Sequence, residues 1–390
     1  RGGALRFEGP YLTADGEELA RHITSVQVCA GQPFARITHT LVLTRDTNEV
    51  WFTDIGWEFA VKPGADAQAV FGVSRDEWQQ TASQPLGAGM SASMLQDSHY
   101  VFAHGENHCS VSVKAASGAQ TSIHEGDECG DWAMLSGSSG ALEFSCREAA
   151  LQHPKQFEVG PDRVVMHLFS NAAGEELDFR PETLAKKWDL LNWYEAVIPK
   201  AYRLAPEQVM EKMREHTSNA VGWSKTHDLM IAALRPTVDL PGEAARLSHL
   251  HSQPVYALCD PQWIADSGAM KPFHPVDAEH FPLVEKAISA GLRQWHDRIR
   301  TWGDYGFVDY YAGPHLSYSG ERVNQKRYAA ITYTLRPDLW LMYARSGDRD
   351  VRRFVADSVR TDADGTICHH DGQGKIKGLH VADSGSDLPV

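Results

Sequence analysis

The chain has 390 residues, of which 42% are hydrophobic and 9% aromatic, and its formal net charge is −14 at pH 7. A chain of this length can bury substantial cores and is expected to divide into about two domains. The acidic balance argues against nucleic acid as a partner, because affinity for phosphates comes from clusters of Lys and Arg. No apolar stretch approaches the roughly 20 residues that span a bilayer, so we predict no membrane segment.

The first half of the chain predicts an antiparallel β-sandwich. Short alternating runs separated by Gly, Pro, Asn and Asp recur between about residues 5 and 169. The runs are HITSVQVCA, FARITHTLVLT, EVWFTDIGWEFAV, SVSVKAA, GALEFSCRE and DRVVMHLFS. A helix is predicted over PETLAKKWDLLNWYEAVI, because Pro181 suits a first helical position, and the strand THDLMIAALRP follows it. We assign residues 1–240 to this sandwich domain.

Beyond Pro254 the period of the apolar residues becomes helical. The segments FPLVEKAISAGLRQWHDRIRTWG, QKRYAAITYTLRPDLWLMYARSG and DVRRFVADSVRTD place apolar residues three and four apart. Each segment ends near a Gly or Asp loop, which predicts antiparallel helix pairs with functional residues on the connecting loops. We assign residues 241–390 to this helical domain. Its arginines at 345, 349, 352 and 353 are interpreted as a solvated helical face that pairs with nearby aspartates.

Cysteine usage leaves the compartment undecided. Six cysteines without CxxC spacing are too few for a disulfide scaffold. The contiguous CHHD at residues 368–371 lacks the paired ligand spacing of a structural zinc site. A second group lies in HGENHCSVSVKAASGAQTSIHEGDEC, where a hairpin could support a metal or a disulfide, and its members are His104, His108, Cys109, His124 and Cys129. We predict no required cofactor, while a divalent ion, Ca²⁺ or Zn²⁺, stays open.

The second half of the chain is rich in Tyr, His, Asn and Arg, which are most frequent in TWGDYGFVDYYAGPHLSYSGERVNQKRY. We call this stretch, residues 301–328, the Tyr/His segment. These side chains suit an enzyme that removes a proton next to a sugar carboxylate. Arg, Asn or protonated His can neutralise the carboxylate, a poised His or Tyr can act as base, and a Tyr hydroxyl can return a proton to the leaving oxygen. The candidate catalytic residues are His315, Tyr311, Tyr318, Asn324, Arg322, His370 and His380.

Segments from both halves carry a family resemblance. The first five segments are RFEGPYLTADGEELARHITSVQVCAGQPFARITHTLVL, VWFTDIGWEF, SCREAALQHPKQFEV, VVMHLFSNAAGEELDFR and GWSKTHDLMI. They resemble the central β-sandwich of the rhamnogalacturonan exolyase/YetA-like proteins. Four later segments are GDYGFVDYY, VNQKRY, YARSGDRDVRRFVADSV and HHDGQGKIKGLH. They resemble the opening of that family's C-terminal (α/α) toroid. The resemblance implies a β-sandwich followed by the beginning of an (α/α) toroid, in a chain that is a fragment of a larger one. It also implies a polysaccharide lyase acting on a rhamnose–uronic acid polymer.

By analogy with toroid-fold lyases, the resemblance implies a role for each catalytic candidate. His315 is the expected base, Tyr311 or Tyr318 the expected acid, and Asn324 with Arg322 the expected neutralisers of the carboxylate. The expected substrate-binding residues are Tyr305, Lys225 and His227. The last two alternate with Ser224 and Thr226, so on a strand they share one face. The expected partner is an acidic polysaccharide met outside the cytoplasm, which predicts a secreted or periplasmic protein.

Two other functions stay open. A glycoside hydrolase needs two carboxylates about 5–9 Å apart across the scissile bond, and Asp304 with Asp309 form a nearby pair in the Tyr/His segment. A noncatalytic carbohydrate-binding protein would dock sugars through exposed tryptophans. Its candidates are Trp51, Trp57, Trp188, Trp193 and Trp223, for which burial in a core is the default. The sequence does not select the polymer, exo or endo action, or the oligomeric state.

Overall fold

The chain folds into two antiparallel β-sheets and a set of α-helices. The computed structural model describes residues 1–98, 107–180, 182–183, 195, 199–215, 220–237, 239–270, 272–302, 305, 336–365, 367–375 and 377–379. The prediction of a β-rich first half followed by helices is confirmed by these elements. Among the described helices, none combines the length and the apolar character needed to cross a membrane.

Antiparallel strands build both sheets. In chain order they are β1 (Gly2–Leu12), β2 (Glu18–Cys29), β3 (Phe34–Leu43), β4 (Ile55–Ala60), β5 (Gln68–Gly72), β6 (Thr81–Pro85), β7 (Ser91–Ser98), β8 (His108–Lys114), β9 (Gln120–Gly126), β10 (Trp132–Gly137), β11 (Gly140–Cys146), β12 (Lys155–Val159), β13 (Arg163–Phe169) and β14 (Ser224–Leu234). The first sheet has eight strands in the order β1-β2-β3-β14-β11-β10-β5-β6. The second has six, in the order β4-β13-β12-β7-β8-β9. Each predicted strand is present, and the alternating runs account for β2, β3, β4, β8, β11, β13 and β14.

All but one of the described α-helices follow the last strand, as the change of period predicts, and the exception precedes β14. Those with described bounds are α1 (Pro206–Glu215), α2 (Leu240–Ser252), α3 (Pro261–Ser267), α4 (Pro282–Trp302), α5 (Arg336–Ser346) and α6 (Arg349–Gly365). The predicted helices over 281–303 and 350–362 correspond to α4 and α6, and the second half of the predicted segment 325–347 corresponds to α5. The helix predicted over 181–198 lies outside the described residues except at 182–183 and 195.

One apolar core joins the two sheets. Alternate residues of a strand point to the same face, so the central strands each contribute a stripe of side chains to the interior, whereas most of β1 and β9 is exposed. Ile37 and Leu41 of the first sheet share this core with Met94, Phe157 and other residues of the second, all of them buried. Burial of each large apolar side chain contributes about 1.5–3 kcal/mol, which makes this cluster the main source of stability for the strands.

Helix α2 covers the opposite face of the first sheet. Its Ala244, Ala245 and Leu247 pack against Met134 and Met230 of the sheet in a second buried cluster. The helix begins after Asp239, whose side chain accepts a hydrogen bond of 3.0 Å from the backbone N–H of Gly242. The first sheet is therefore covered on both faces, by the second sheet and by helix.

Helix α6 is attached to the same outer face through buried polar contacts. The Asp364 carboxylate, 2% exposed, accepts hydrogen bonds from Ser224 Oγ at 2.9 Å, Thr226 N at 2.8 Å and Thr226 Oγ1 at 2.6 Å. Strand β11 pairs with β14 only from Leu229 onward, so Thr226 lies beyond the end of its neighbour. Asp364 thus takes the place of a missing strand partner and fixes the end of α6 on β14.

The buried side chain of Lys155 is an unusual member of the sandwich interior. It is 3% exposed, and its ammonium donates to the backbone carbonyl of Gln152 at 2.7 Å and to that of Leu168. Burial lowers the pKa of Lys155 to about 7. An unfolded lysine keeps its proton up to about pH 10.4, so between these two values the unfolded chain binds more protons than the folded chain. The contribution of this group to stability therefore rises with pH across that window.

Replacement of Lys155 with methionine is expected to reduce the gain in stability between pH 7 and pH 9. The wild-type protein should gain about 2 kcal/mol more than Lys155→Met over this interval, because only the wild-type carries the depressed amine. Denaturant unfolding at both pH values measures the difference. Lys114→Met, at an exposed position near the end of β8, is the control and should retain the wild-type dependence. Equal pH dependence in all three proteins would show that Lys155 does not titrate in this window.

Candidate functional site

Most of the predicted catalytic residues lie outside the described part of the chain. These catalytic candidates are His315, Tyr311, Tyr318, Asn324, Arg322 and His380. The candidates for other roles that also lie outside the described residues are Asp304, Asp309, His104, Trp188 and Trp193. The described candidates are Tyr305, Lys225, His227 and His370. Tyr305 is the one described candidate that belongs to the Tyr/His segment.

Tyr305 is buried where the sandwich meets the helices. It is 7% exposed and belongs to an apolar cluster with Leu151 of the sandwich half and Val355 of α6. Leu339 of α5 belongs to the same cluster, although it follows the Tyr/His segment in the chain. Residues on either side of the undescribed part of that segment are thus packed into one cluster.

Lys225 lies next to Tyr305. Its ammonium is 5.7 Å from the centroid of the Tyr305 ring, within the range of a cation–π contact. Burial lowers the pKa of Lys225, and the nearby Asp364 carboxylate opposes that effect. The structure therefore brings together two of the three predicted substrate-binding residues.

His227 has a different environment. It shares a face of β14 with Leu229, which belongs to the sandwich core, and it is paired in register with the buried His39 of β3. Neither ring nitrogen of His227 has a hydrogen-bond partner among the described residues. Burial and the positive charges of Lys155 and Lys225 hold the pKa of His227 well below its ordinary value. His227 is consequently a neutral interior side chain, 4% exposed.

His370 lies near the beginning of β14. The thiol of Cys368 donates to the carbonyl of His370 at 3.4 Å, and the backbone N–H of His369 donates to the carbonyl of Gly222 at 2.8 Å. A Cβ atom on Gly222, whose φ is +89°, would lie 2.4 Å from the carbonyl oxygen of His370, so only glycine fits this contact. His370 is therefore held against the strand that carries Lys225.

Beside Tyr305 a cleft of about 380 Å³ opens between the first sheet, α2 and α6. Its described lining residues are Ser74, Arg75, Asp76, Trp78, Asp131, Trp132, Glu148, Leu151, Ala245, Ser248, His249, Ser252, Gln253, Tyr305, Asp350, Arg353, Phe354 and Asp357. This volume falls within the range of about 300–1,000 Å³ typical of small-molecule sites. We call it the junction cleft.

Glu148 is the centre of an ion-pair network in the junction cleft. Its carboxylate accepts from Arg75 Nε at 3.1 Å and contacts the guanidinium of Arg353 on α6. Its backbone is left-handed, with φ 54°, a conformation that residues with a side chain rarely adopt. Asp131 supports this turn by accepting from the N–H groups of Glu148 at 3.2 Å and Ala149 at 2.9 Å.

A second carboxylate extends this network to α6. Asp357 accepts from Arg147 Nη2 at 2.8 Å, and Arg353 Nε lies 3.7 Å away. Burial raises the pKa of Asp357, although both arginines favour its charged form. Burial disfavours the charge on Arg147, but Asp357, Asp228 and two neighbouring tyrosines together outweigh this effect and raise the pKa of the guanidinium. The network therefore joins α6 to the sandwich at the base of the cleft.

An aromatic surface forms one side of the junction cleft. The rings of Trp78 and His249 are stacked, with centroids 4.7 Å apart and planes 20° from parallel. Trp78 lies in the loop between β5 and β6, and His249 lies near the C-terminal end of α2. The three described tryptophans among the earlier sugar-binding candidates have internal roles instead. Trp57 and Trp223 pack against the sandwich core, and Trp51 lies 3.8 Å from the Arg180 guanidinium.

The cleft contains residues that the sequence interpretation missed. Arg353 was expected on a solvated helical face, but it pairs with Glu148 across the domain junction, so that expectation is wrong. Arg345 likewise pairs with the buried Glu285 of α4. The expected Arg353 pairing with Asp357 one turn along the helix is present, with the two groups 3.7 Å apart. The run GALEFSCRE, which contains Glu148, predicted a strand and no site.

The described His and Cys side chains that were considered for metal binding have other environments. Across the described ranges, no group of three or more His, Cys, Asp or Glu side chains is placed to hold a metal ion. His108 instead lies between two carboxylates, 2.5 Å from Asp97 and 2.8 Å from Glu125. Cys109 and Cys129 are buried free thiols.

Comparison with known proteins gives no relative from which a function could be transferred. No protein-family model matches the sequence, and no curated protein matches it.

Proposed function

We propose that the protein is a polysaccharide lyase that cleaves a rhamnose–uronic acid polymer, of the rhamnogalacturonan or ulvan type, by β-elimination. One observation supports this above the others: Tyr305 and Leu339, on either side of the undescribed part of the Tyr/His segment, pack in the same cluster. Tyr305 also lines the junction cleft. Tyr305, a described residue of this segment, thus lies beside a cleft of suitable size for a sugar.

The proposed chemistry assigns each task of β-elimination to a side chain. Arg322 and Asn324 bind the uronate carboxylate and make the proton on C5 more acidic. His315 takes that proton, the C5–H electron pair forms a C4–C5 double bond, and the bond from C4 to the glycosidic oxygen breaks. Tyr311 or Tyr318 gives its proton to the departing oxygen. Each fixed donor that stabilises the developing negative charge contributes on the order of 3 kcal/mol.

Lys225, Tyr305 and His370 are the described residues that we assign to this site. The ammonium of Lys225 supplies a positive charge beside Tyr305, where it suits an acidic sugar. His370 is held against the beginning of the same strand. His227 was among the predicted substrate-binding residues, but it is buried opposite His39, so we leave it out of the proposed site.

We also propose that the helices are part of an (α/α) toroid. Helices α5 and α6 are joined by two residues, Gly347 and Asp348, and Asp348 caps α6 by accepting from Val351 N at 3.1 Å. So short a connection is typical of antiparallel neighbours, and such a helix pair is the repeating unit of the toroid that we propose. Because its polymer substrate is met outside the cytoplasm, we place the protein in the secreted or periplasmic class.

A glycoside hydrolase is the second candidate, and one observation favours it. Burial raises the pKa of Asp357 in the junction cleft, and a carboxylic acid that keeps its proton is what a hydrolase needs as general acid. Asp357 is, however, held by Arg147 and contacted by Arg353, which suits a structural ion pair. The lyase therefore ranks first.

Incubation of the protein with rhamnogalacturonan I and with ulvan is expected to produce unsaturated uronate ends from one of them. Growth of ultraviolet absorbance follows the double bond, and mass spectrometry in heavy-oxygen water shows whether solvent oxygen enters the new reducing end. A lyase gives absorbance without label. Incorporation of the oxygen label without growth of absorbance would support the hydrolase and contradict the lyase. If neither polymer gave label or absorbance, both proposed functions would be contradicted.

A further inference from the structure

The junction cleft has an acidic lining. Among its described residues five carboxylates stand against two guanidinium groups and one imidazole. The carboxylates belong to Asp76, Asp131, Glu148, Asp350 and Asp357. A sugar carboxylate entering this cleft would meet an excess of negative charge, and like charges placed together oppose binding.

Both guanidinium groups are already engaged. Arg75 contacts Glu148 at 3.1 Å and Glu128 at 3.1 Å, and Arg353 contacts Glu148 and Asp357. An acidic ligand would have to displace these carboxylates, which are only 3–22% exposed, before it could use either arginine. The described lining therefore gives a uronate no uncommitted guanidinium group.

The same lining suits a neutral sugar. Carboxylate oxygens accept hydrogen bonds from sugar hydroxyl groups, and the Trp78 indole presents a flat apolar surface to the C–H groups of a pyranose ring. His249, stacked 4.7 Å behind it, fixes the orientation of the indole. A deoxy sugar such as rhamnose has both hydroxyl groups and an apolar methyl group for this combination.

We infer that the junction cleft binds the neutral glycosyl residue next to the uronate in the polymer, and that Trp78 is a specificity-determining residue which stacks on the ring of that neutral sugar. This inference rests on the proposed lyase function, because it assigns the uronate and its neutral neighbour to different subsites. The proposed uronate subsite is the one beside Lys225 and Tyr305.

The first test measures binding without turnover. Saturation-transfer NMR on the full chain with L-rhamnose and with D-galacturonate as separate probes is expected to show Trp78-dependent contact for rhamnose. Trp78→Ala should weaken that contact about 10-fold, and Trp78→Phe, which keeps an aromatic face, should retain most of it. Trp263→Ala is the matched control, because Trp263 is 65% exposed on α3, outside the described lining of the cleft. Preferential, Trp78-dependent contact with galacturonate would overturn the inference.

The second test uses the polymer and separates the inference from the lyase proposal. Trp78→Ala is expected to raise KM about 10-fold and change kcat much less, with Trp78→Phe close to wild type. If rhamnose binding depends on Trp78 but no unsaturated product forms, the result supports the neutral-sugar subsite and contradicts the lyase proposal. The opposite result is that folded Trp78→Ala forms unsaturated product with the same KM and the same rhamnose contact as wild type. That result would agree with the lyase proposal and contradict the neutral-sugar subsite.

Discussion

Replacement of Asp364 with alanine is expected to lower the free energy of unfolding by about 3–5 kcal/mol. The Asp364 carboxylate is 2% exposed and accepts three hydrogen bonds, two from Thr226 and one from Ser224. Alanine would leave a buried backbone N–H and two hydroxyl groups without that acceptor. It would also remove the negative charge that offsets the burial of Lys225.

Denaturant unfolding measures this effect, and Asp15→Ala is the control. Asp15 is exposed in the turn between β1 and β2, so its replacement should change the free energy of unfolding by less than about 0.5 kcal/mol. Asp364→Asn is expected to fall between the two, since an amide oxygen still accepts hydrogen bonds but brings no charge. If Asp364→Ala were as stable as Asp15→Ala, the contact between α6 and β14 would not hold the helix in place.

Replacement of His315 with alanine is expected to lower kcat for the polymer by about 10²–10⁴-fold. The expected physical reason is loss of the proposed base for the C5 proton, while the substrate contacts proposed for Lys225 and the junction cleft are left in place. Initial rates of absorbance growth over a range of polymer concentrations measure kcat and KM separately. Thermal unfolding of the variant should match that of the wild type if the effect is chemical.

His280→Ala is the matched control for this experiment. His280 is exposed before α4 and lies 2.9 Å from Asp277, so its loss should leave both kinetic constants near wild type. Equal activity of His315→Ala and wild type would remove His315 from the proposed mechanism. Product formation by that variant would then point to Tyr311 or Tyr318 as the base, which their phenylalanine variants test.

The strands could be predicted because their alternation has a simple physical cause. In β3 and β14 one set of alternate residues faces the sandwich core, and the pattern of Ile37, Leu41 and Leu229 follows from that burial. Helix α2 was missed for the opposite reason. Its buried face consists largely of small and polar side chains, with Ala244 and Ser248 among them, so its sequence shows little apolar periodicity.

The candidate site could be predicted only in part. Alternation correctly placed Lys225 and His227 on one face of a strand, but it could not show that the first lies beside Tyr305 and the second inside the sandwich. The junction cleft was not foreseen, because Arg75, Glu148 and Arg353 are far apart in the chain. A charged residue in an isolated segment looks solvated, and only the fold shows that Glu148 brings two arginines together.

The central position of β14 has a consequence for biogenesis. This strand lies between β3 and β11, although its residues are synthesised well after both of them. Until Leu234 has left the ribosome, the first sheet exists as two separate parts with unpaired edges. Contacts that are so distant in sequence slow folding and leave such edges open to aggregation. A shortened gene ending before β14 should therefore yield an insoluble product, whereas one ending after α2 retains every strand of both sheets.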